Sequence, residues 1–531
     1  MKNNSLCLLI VGILLSFNSF ITAQESGINF NSDQATSSYT LFKPSSDVNI
    51  YLVDNCGEVV NMWDNVFSPD QHAKLLPNGH LIYIQSNTIY ERDWDGNFVR
   101  SVRLNDYTLR LRYELILLPN GNFLSVGRRI LDSQGFIDLG YNIDDEVDPS
   151  QVDVVVEIDP DTEQIVWEWN IADHVIQQRD PNANNYGIIS EHPELLNMDA
   201  ISRFDWEQRE SFMINGMGYN AELDQIALSV RKMSEVVIID HTTTTQEAAG
   251  HTGGKYGKGG DILYRWGNPQ NYGAGTSNDR FLFFQHNPHW IEEGPHKGKM
   301  TCYNNGLNRP IDTTVEVNYS NVPIINTPVD ADGFYPNLSP GEAHLPQAPD
   351  MIIGPETNTP FFSGYTSGAH IFPNGNVFIT EGVRGRIFEI NPAGQTVWQY
   401  TVPFTWYIFR AEKYPMDYPA FMGKDLSPNG IVLGDTSTYD CQILTSVTNP
   451  EPIQSSFEVR YLDNRNVEVV NQSNRGFSYQ LHDVQGKLIR RGQTAESTER
   501  LSFNGLPAGL YVLATASNHD THWSSQKILI R

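Results

Sequence analysis

A chain of 531 residues has room for two or three domains, or for one large repeat domain with an appendage, and its 11% aromatic content supplies a sizeable core. The formal charge of −27 leaves no excess of lysine and arginine to neutralise phosphates, which argues against nucleic acid as a partner. Acidity by itself identifies no other partner.

The chain opens on MKNNSLCLLIVGILLSFNSFITAQES. Lys2, the apolar stretch from Leu6 to Phe17 and a small-residue site ending at Ala23 predict a secretory signal over residues 1–23. Cys7 lacks the small-residue context of a lipoprotein anchor, and no later apolar stretch is long enough to span a bilayer. The expected mature chain keeps three cysteines, Cys56, Cys302 and Cys441. An odd number in an oxidising compartment allows one bridge and one free thiol, with Cys56 and Cys441, near the two ends of the main domain, as the favoured clasp. Three reduced, buried cysteines are the alternative.

Two phrases then alternate. The first is LLPNG, in AKLLPNGHLIYI (73–84) and ELILLPNGNFLSV (114–126), and altered in AHIFPNGNVFIT (369–380). Pro presets φ, Asn-Gly offers positive φ angles, and apolar strands flank the turn. The second is an Asp/Asn-Gly type turn followed by a strand that usually carries a Trp, in DNCGEVVNMW (54–63), DWDGNFVRSV (93–102), DPDTEQIVWEW (159–169) and NPAGQTVWQY (391–400). Two alternating hairpins per unit make a four-stranded blade, and units of about 40–45 residues arranged around an axis make a β-propeller. The expected fold class is all-β: a propeller over residues 27–445, a linker over 446–455 and a small β-sandwich over 456–531. Insertions at 171–209 and 309–352 read as loops gathered on one face. DWDGNF opens like a calcium loop but no glutamate follows at the required distance, so it reads as a turn. HTGGKYGKGG (251–260) lacks the ending of a phosphate loop and reads as a flexible hairpin or flap.

At 281–290 the chain reads FLFFQHNPHW. The apolar run reads as a buried strand that ends at Gln285, where His286 is either a satisfied structural histidine or a nucleophile.

Two resemblances carry the reading further. VQGKLIRRG, LPAGLYVLA and the terminal QKILIR resemble the type A sorting domain of the type IX secretion system of Bacteroidetes-type bacteria, over about the last 75 residues. That implies the type IX machinery as a partner, passage through the periplasm, and a secreted or cell-surface protein. YLVDNCGEVV (51–60), the long block from YNAELDQIALSVRKMSEVVIID to NPQNYGAGT (219–276), FFQHNPHWI (283–291) and SGAHIFPNGNVFITEGVRGRIFEI (367–390) resemble the aryl-sulfate sulfotransferase family across most of residues 45–440. The resemblance implies a six-bladed propeller and an enzyme that moves a sulfuryl group from a phenolic sulfate ester to a phenol through a histidine. Its partners are small aryl sulfates and phenols; no nucleotide donor, cofactor or metal is implied.

Sulfuryl transfer needs a nucleophile for sulfur, cationic donors on the sulfonyl oxygens and a proton shuttle for the phenols. The family pattern falls on His286 as nucleophile and Arg231 as the guanidinium that forks onto two sulfonyl oxygens, and both are expected to be catalytic. Without the resemblance Arg231 reads as a strand arginine paired with Glu235. Asn215 and Thr366 fall where the family places polar groups near the sulfate. The family also has a histidine where RYELILLPNG offers Tyr113 and Glu114, and another at the position of Met213. Tyr113, with His72 and His370 at the heads of their own hairpins, completes the expected substrate-binding set, and His289 lies beside His286 or on the opposite side of its strand. The alternative function is a degenerate propeller that binds a phenolic, a sulfated glycan or a surface partner.

Overall fold

Each LPNG phrase folds as a tight turn for a reason written in its residues. Only the glycine enters the left-handed region: Gly79, Gly121 and Gly375 have φ of +86°, +91° and +86°. The asparagine instead turns its side chain back on the chain, where Oδ1 of Asn78, Asn120 and Asn374 accepts from the backbone N–H of His80, Asn122 and Asn376 at 3.0, 3.0 and 2.9 Å. The computed structural model describes residues 25–67, 72–139, 151–200, 212–309, 318–354, 360–403, 407–441, 457–463, 465–472, 475–482, 488–507, 509–517 and 524–530. The expected signal over 1–23 and the linker over 446–455 lie outside them. The chain divides into two compact units, Met1–Cys441 and Gln442–Arg531, both of them nearly all β.

Among the described residues the first unit contains six antiparallel sheets of four or more strands. Their first strands are Glu412–Pro415, Lys74–Leu75, Leu109–Leu117, Ile214–Asn220, His286–Trp290 and Ser367–Ile371. Five sheets are built from consecutive strands, with the LPNG turns joining first to second strand in three of them. The remaining sheet takes its first strand, Glu412–Pro415, from far along the chain and pairs it with Ser38–Phe42. In the sheet that begins with Ser367–Ile371, Gly27–Asn31 adds a fifth strand outside Thr396–Thr401. Cys56 and Cys441 form a disulfide across 385 residues, and Cys302 is a buried free thiol.

Six apolar cores lie between these sheets, each shared by two of them. Leu81 and Tyr83 point into one core, while Ile82 and Ile84, alternating with them, point into the next. Val236 and Ile238 likewise face away from Val237 and Ile239. Burial on both faces explains why such strands are continuously apolar rather than alternating with polar residues. The sixth core joins Tyr51 and Val53 near the start of the unit to Phe378 and Ile387 near its end. The repeated tryptophans reach across sheets: Trp63 Nε1 donates to the Asp93 carbonyl at 2.9 Å, and Trp398 Nε1 to the Asn55 carbonyl at 2.9 Å. Among the described residues no helix is long and apolar enough to cross a membrane.

One sequence expectation is corrected. The apolar run 281–284 is not a strand; the strand begins at His286 and runs to Trp290. Phe284 has φ +58°, outside extended geometry, and Phe283 and Phe284 lie under the guanidinium of Arg280. Aromatic rings packed by arginines look, in sequence, like a buried strand.

The second unit has a three-stranded and a four-stranded antiparallel sheet over a shared core that includes Phe457, Val469, Phe477, Leu513 and Ile528.

Candidate active site

Met213, Phe284 and Thr366 have φ of 62°, 58° and 47° just ahead of the first strands of three sheets, and Tyr113, at 59°, lies in the middle of Leu109–Leu117 where its pairing slips register. Left-handed backbone at a residue other than glycine costs about 1–3 kcal/mol, and such outliers gather where a site over-determines the chain.

His286 is 5% exposed and sits where three sheets meet. On one side Gln285 fastens its strand: the Gln285 carbonyl accepts from Asn215 Nδ2 and Ser229 Oγ, both at 2.9 Å, and its own amide donates to the Glu235 carbonyl at 2.6 Å. The crossing is close enough that a Cβ on Gly216 would meet the Asn287 nitrogen at 2.7 Å, so glycine is required there. On the other side stands Asn305. Its Nδ2 donates to the Ser363 carbonyl at 2.6 Å and to Ser367 Oγ at 3.1 Å, which turns Oδ1 toward the imidazole, 2.7 Å from His286 Nδ1. An amide oxygen only accepts, so Nδ1 carries the proton and Nε2 presents a lone pair. Burial first, then Arg231 and Arg410, push the His286 pKa down to about 3 against the opposing bond to Asn305, so the ring is neutral at physiological pH. The strand is bulged between His286 and His289, with Asn287 at φ +52°, and the bulge re-aims the side chains that follow.

Arg231 is buried in the turn after Gln225–Val230, its guanidinium 4.7 Å over the Phe284 ring and 3.6 Å from Met213 Sδ. Glu235 is held by Arg265, at 3.0 and 2.6 Å, and is not the partner of Arg231. The Met213 N–H donates to Asp153 at 2.7 Å. Thr366 Oγ1 and Asn215 Oδ1 are buried with no hydrogen-bond partner among the described residues. Tyr113 stacks on Phe409 at 5.8 Å and its hydroxyl accepts from Arg128 at 3.2 Å. Tyr113 also borders a cleft of about 630 Å³ whose walls include Arg103, Arg110 and Arg112.

Beneath these groups lies a buried ion network that sequence reading did not identify. Arg410 forks onto Glu114 with two bonds of 2.7 Å and donates to His72 Nδ1 at 2.8 Å. Burial works against the Arg410 charge, but Glu114 and Glu412 outweigh it and hold the arginine above its usual pKa. His72 Nε2 lies 2.6 Å from Glu412, so both ring nitrogens face protein groups, and burial with Arg410 lowers the ring's pKa against the pull of Glu412 and Glu114. His370 stacks on His289 with centroids 5.9 Å apart, and both line a separate cleft of about 370 Å³ with Arg410 and Glu412. Burial and His370 lower His289 to a pKa of about 4. His286, Arg231, Asn215 and Met213 are thus one group; Thr366 connects to it through Ser363 and Asn305, Tyr113 through Arg128 and Asp153, and His72, His289 and His370 surround the separate pair Arg410 and Glu114.

Asn305 and Arg410 were missed. A signal existed for Asn305: the hairpin that pairs His286 with Tyr303 places residue 305 just beyond it. None existed for Arg410, which arrives from the far end of the unit.

A family model described as Arylsulfotransferase (ASST) matches residues 24–324. None of the curated proteins matches the chain. Among solved structures, a protein of unknown function from Bacteroides caccae aligns at 9% identity with a TM-score of 0.40, covering 71% of this chain and 99% of that one. Virginiamycin B lyase from Staphylococcus aureus aligns at 10% identity and a TM-score of 0.30, covering 71% and 88%. Kuenenia stuttgartiensis hydrazine synthase aligns at 11% and 0.31, covering 71% and 79%. Likenesses this slight carry no function, whereas the family match spans more than half of the sequence, and the chain belongs to the arylsulfotransferase family.

Proposed function

We propose that the protein is an exported aryl-sulfate sulfotransferase that works through a sulfohistidine at His286. The observation that carries the proposal is the fixed amide of Asn305, which sets the tautomer of a neutral, buried imidazole so that Nε2 keeps its lone pair. In the first half-reaction Nε2 attacks sulfur, the N–S bond forms, the S–O bond to the donor breaks, and the donor leaves as a phenolate. In the second, the acceptor phenol oxygen attacks sulfur, the N–S bond breaks and the lone pair returns to Nε2. The net proton passes from acceptor phenol to donor phenolate. Arg231 holds the sulfonyl oxygens as negative charge builds on them, with Asn215, Thr366 and Tyr113 as further contacts. The arginine-lined cleft beside Tyr113 suits an anionic aryl sulfate in an otherwise acidic protein.

The same reading makes the six sheets the blades of a six-bladed propeller; its support is that each core is shared by consecutive sheets, the last with the first. The second unit, two antiparallel sheets over one core, suits the type IX sorting domain of a Bacteroidetes-type bacterium, with secretion to the cell surface or beyond following an N-terminal signal.

The second reading, a binding module without turnover, is favoured by Met213, a thioether against Arg231 where the family has a histidine. Incubation with an aryl sulfate separates the two. The enzyme gives one added sulfuryl group, mapped by peptide mass to His286, and then sulfation of a phenol. An unmodified protein with an unmodified acceptor overturns the enzyme reading.

A further inference from the structure

The glycine-rich stretch after residue 250, read from sequence as a flexible hairpin or flap, is packed down on the third and fourth sheets. Tyr256 is buried and donates to the Leu223 carbonyl at 2.7 Å. At its two ends stand His251 and Asp261, and both meet His174 from the short turn Ile171–His174. His174 is wholly buried; its ring stacks on Trp169 with centroids 5.4 Å apart and planes 3° apart. Its Nε2 lies 2.7 Å from the Ala248 carbonyl. A carbonyl only accepts, so Nε2 carries a proton, and Nδ1 faces Asp261 Oδ1, 2.9 Å away, across the space that an entering cation would take. His251 Nδ1 comes to the same carboxylate oxygen at 2.8 Å, its ring nearly perpendicular to that of His174.

We infer that His174, His251 and Asp261 form a binding site for one divalent transition-metal ion of the Zn²⁺ class, which fastens the 241–261 loop to the turn at 171–174. The three donor atoms lie within 4.8 Å of one another, outside the group built on His286. Two imidazole nitrogens and one carboxylate oxygen are the donors that Zn²⁺ takes, and they discriminate against Mg²⁺ and Ca²⁺, which prefer oxygen alone. Metal-bound histidines donate their second ring N–H to a carbonyl or carboxylate, as His174 does to Ala248. Bonds of about 2.0–2.2 Å at tetrahedral angles set neighbouring donors roughly 3.4 Å apart, so the ion enters with an outward shift of about half an ångström. The exposed His251 supplies the movement, since its side chain is 60% accessible. The buried cradle is close-fitting: a Cβ on Gly260 would meet His174 Nε2 at 2.5 Å.

The test uses the untagged full-length protein, stripped with a chelator and dialysed against Zn²⁺, with bound metal measured by mass spectrometry and a Co²⁺ titration read in the visible spectrum. The expected result is one equivalent of Zn²⁺, a tetrahedral Co²⁺ spectrum, and a loss of affinity of about tenfold or more in His251→Ala, whose exposed position leaves folding intact. Absence of stoichiometric metal, or equal binding by wild type and His251→Ala, overturns the site and leaves the three side chains as a hydrogen-bonded cluster around Asp261. Ca²⁺ in place of Zn²⁺ is expected to remain unbound, and its binding at the same site would overturn the assigned ion class.

Discussion

Asn305 is the residue on which the reactive form of His286 depends, and replacing it separates the tautomer argument from simple packing. Asn305→Leu keeps about the same volume but removes the acceptor 2.7 Å from Nδ1 and the donor to Ser363 and Ser367. A buried N–H left without an acceptor costs about 1–3 kcal/mol, and the ring escapes that cost by moving its proton to Nε2, the atom that must attack sulfur. At 1.36 kcal/mol per factor of ten, a bias of about 1–3 kcal/mol lowers the rate of sulfohistidine formation by about 5- to 150-fold. Asn305→Asp restores an acceptor, so the tautomer and much of the rate return. Its carboxylate also favours the imidazolium, and the His286 pKa rises from about 3. The assay is the pre-steady-state burst of phenol from a chromogenic aryl sulfate across pH, with near-ultraviolet circular dichroism to show that each variant is folded. Above pH 6 the wild-type burst is expected to be flat on its acid side, and the acid limb of Asn305→Asp to lie at higher pH. A folded Asn305→Leu variant with a wild-type burst rate, or an Asn305→Asp acid limb that does not move, refutes the reasoning.

Three further outcomes are expected. Arg231→Lys keeps the charge but loses the fork, and the burst rate should fall by about 10²–10³-fold; an unchanged rate removes Arg231 from the transition state. His286, His289 and His344, with pKa values of about 3, 4 and 3, refuse protons that the unfolded chain takes up below pH 6.5. Stability is therefore lost as pH falls from 6.5 toward 4, by up to about 4 kcal/mol per pH unit for the three together, while His241, raised to about 9 despite burial by Asp224 and Glu157, gives stability that is lost as pH rises through 9. A melting temperature that does not fall between pH 6.5 and pH 5 contradicts the acid-side assignment. Reduction of the Cys56–Cys441 bridge frees a loop of 385 residues and should lower stability by about 3–5 kcal/mol, read as a lower melting temperature with reductant; coincident melts count against the clasp.

The sequence by itself determined what local chemistry can encode. The alternating turn phrases marked the hairpins, because an Asx side chain and a glycine at fixed positions leave a tight turn as the favourable path. The match to the family pattern singled out Arg231 in the middle block and His286 in FFQHNPHWI, which the fold then brings into one group. Tertiary structure decided the rest. FLFF read as strand because hydrophobicity does not distinguish a ring packed against aliphatic residues from one lying under a guanidinium. Arg410 and Glu114 act around His286 through contacts between sheets, and their own pairing spans 296 residues. No local pattern records such a contact. The pKa of His286 follows from burial and the nearby arginines, its tautomer from the fixed amide of Asn305, and the side of the strand that His289 takes from a one-residue bulge, all of which exist only once the sheets have met.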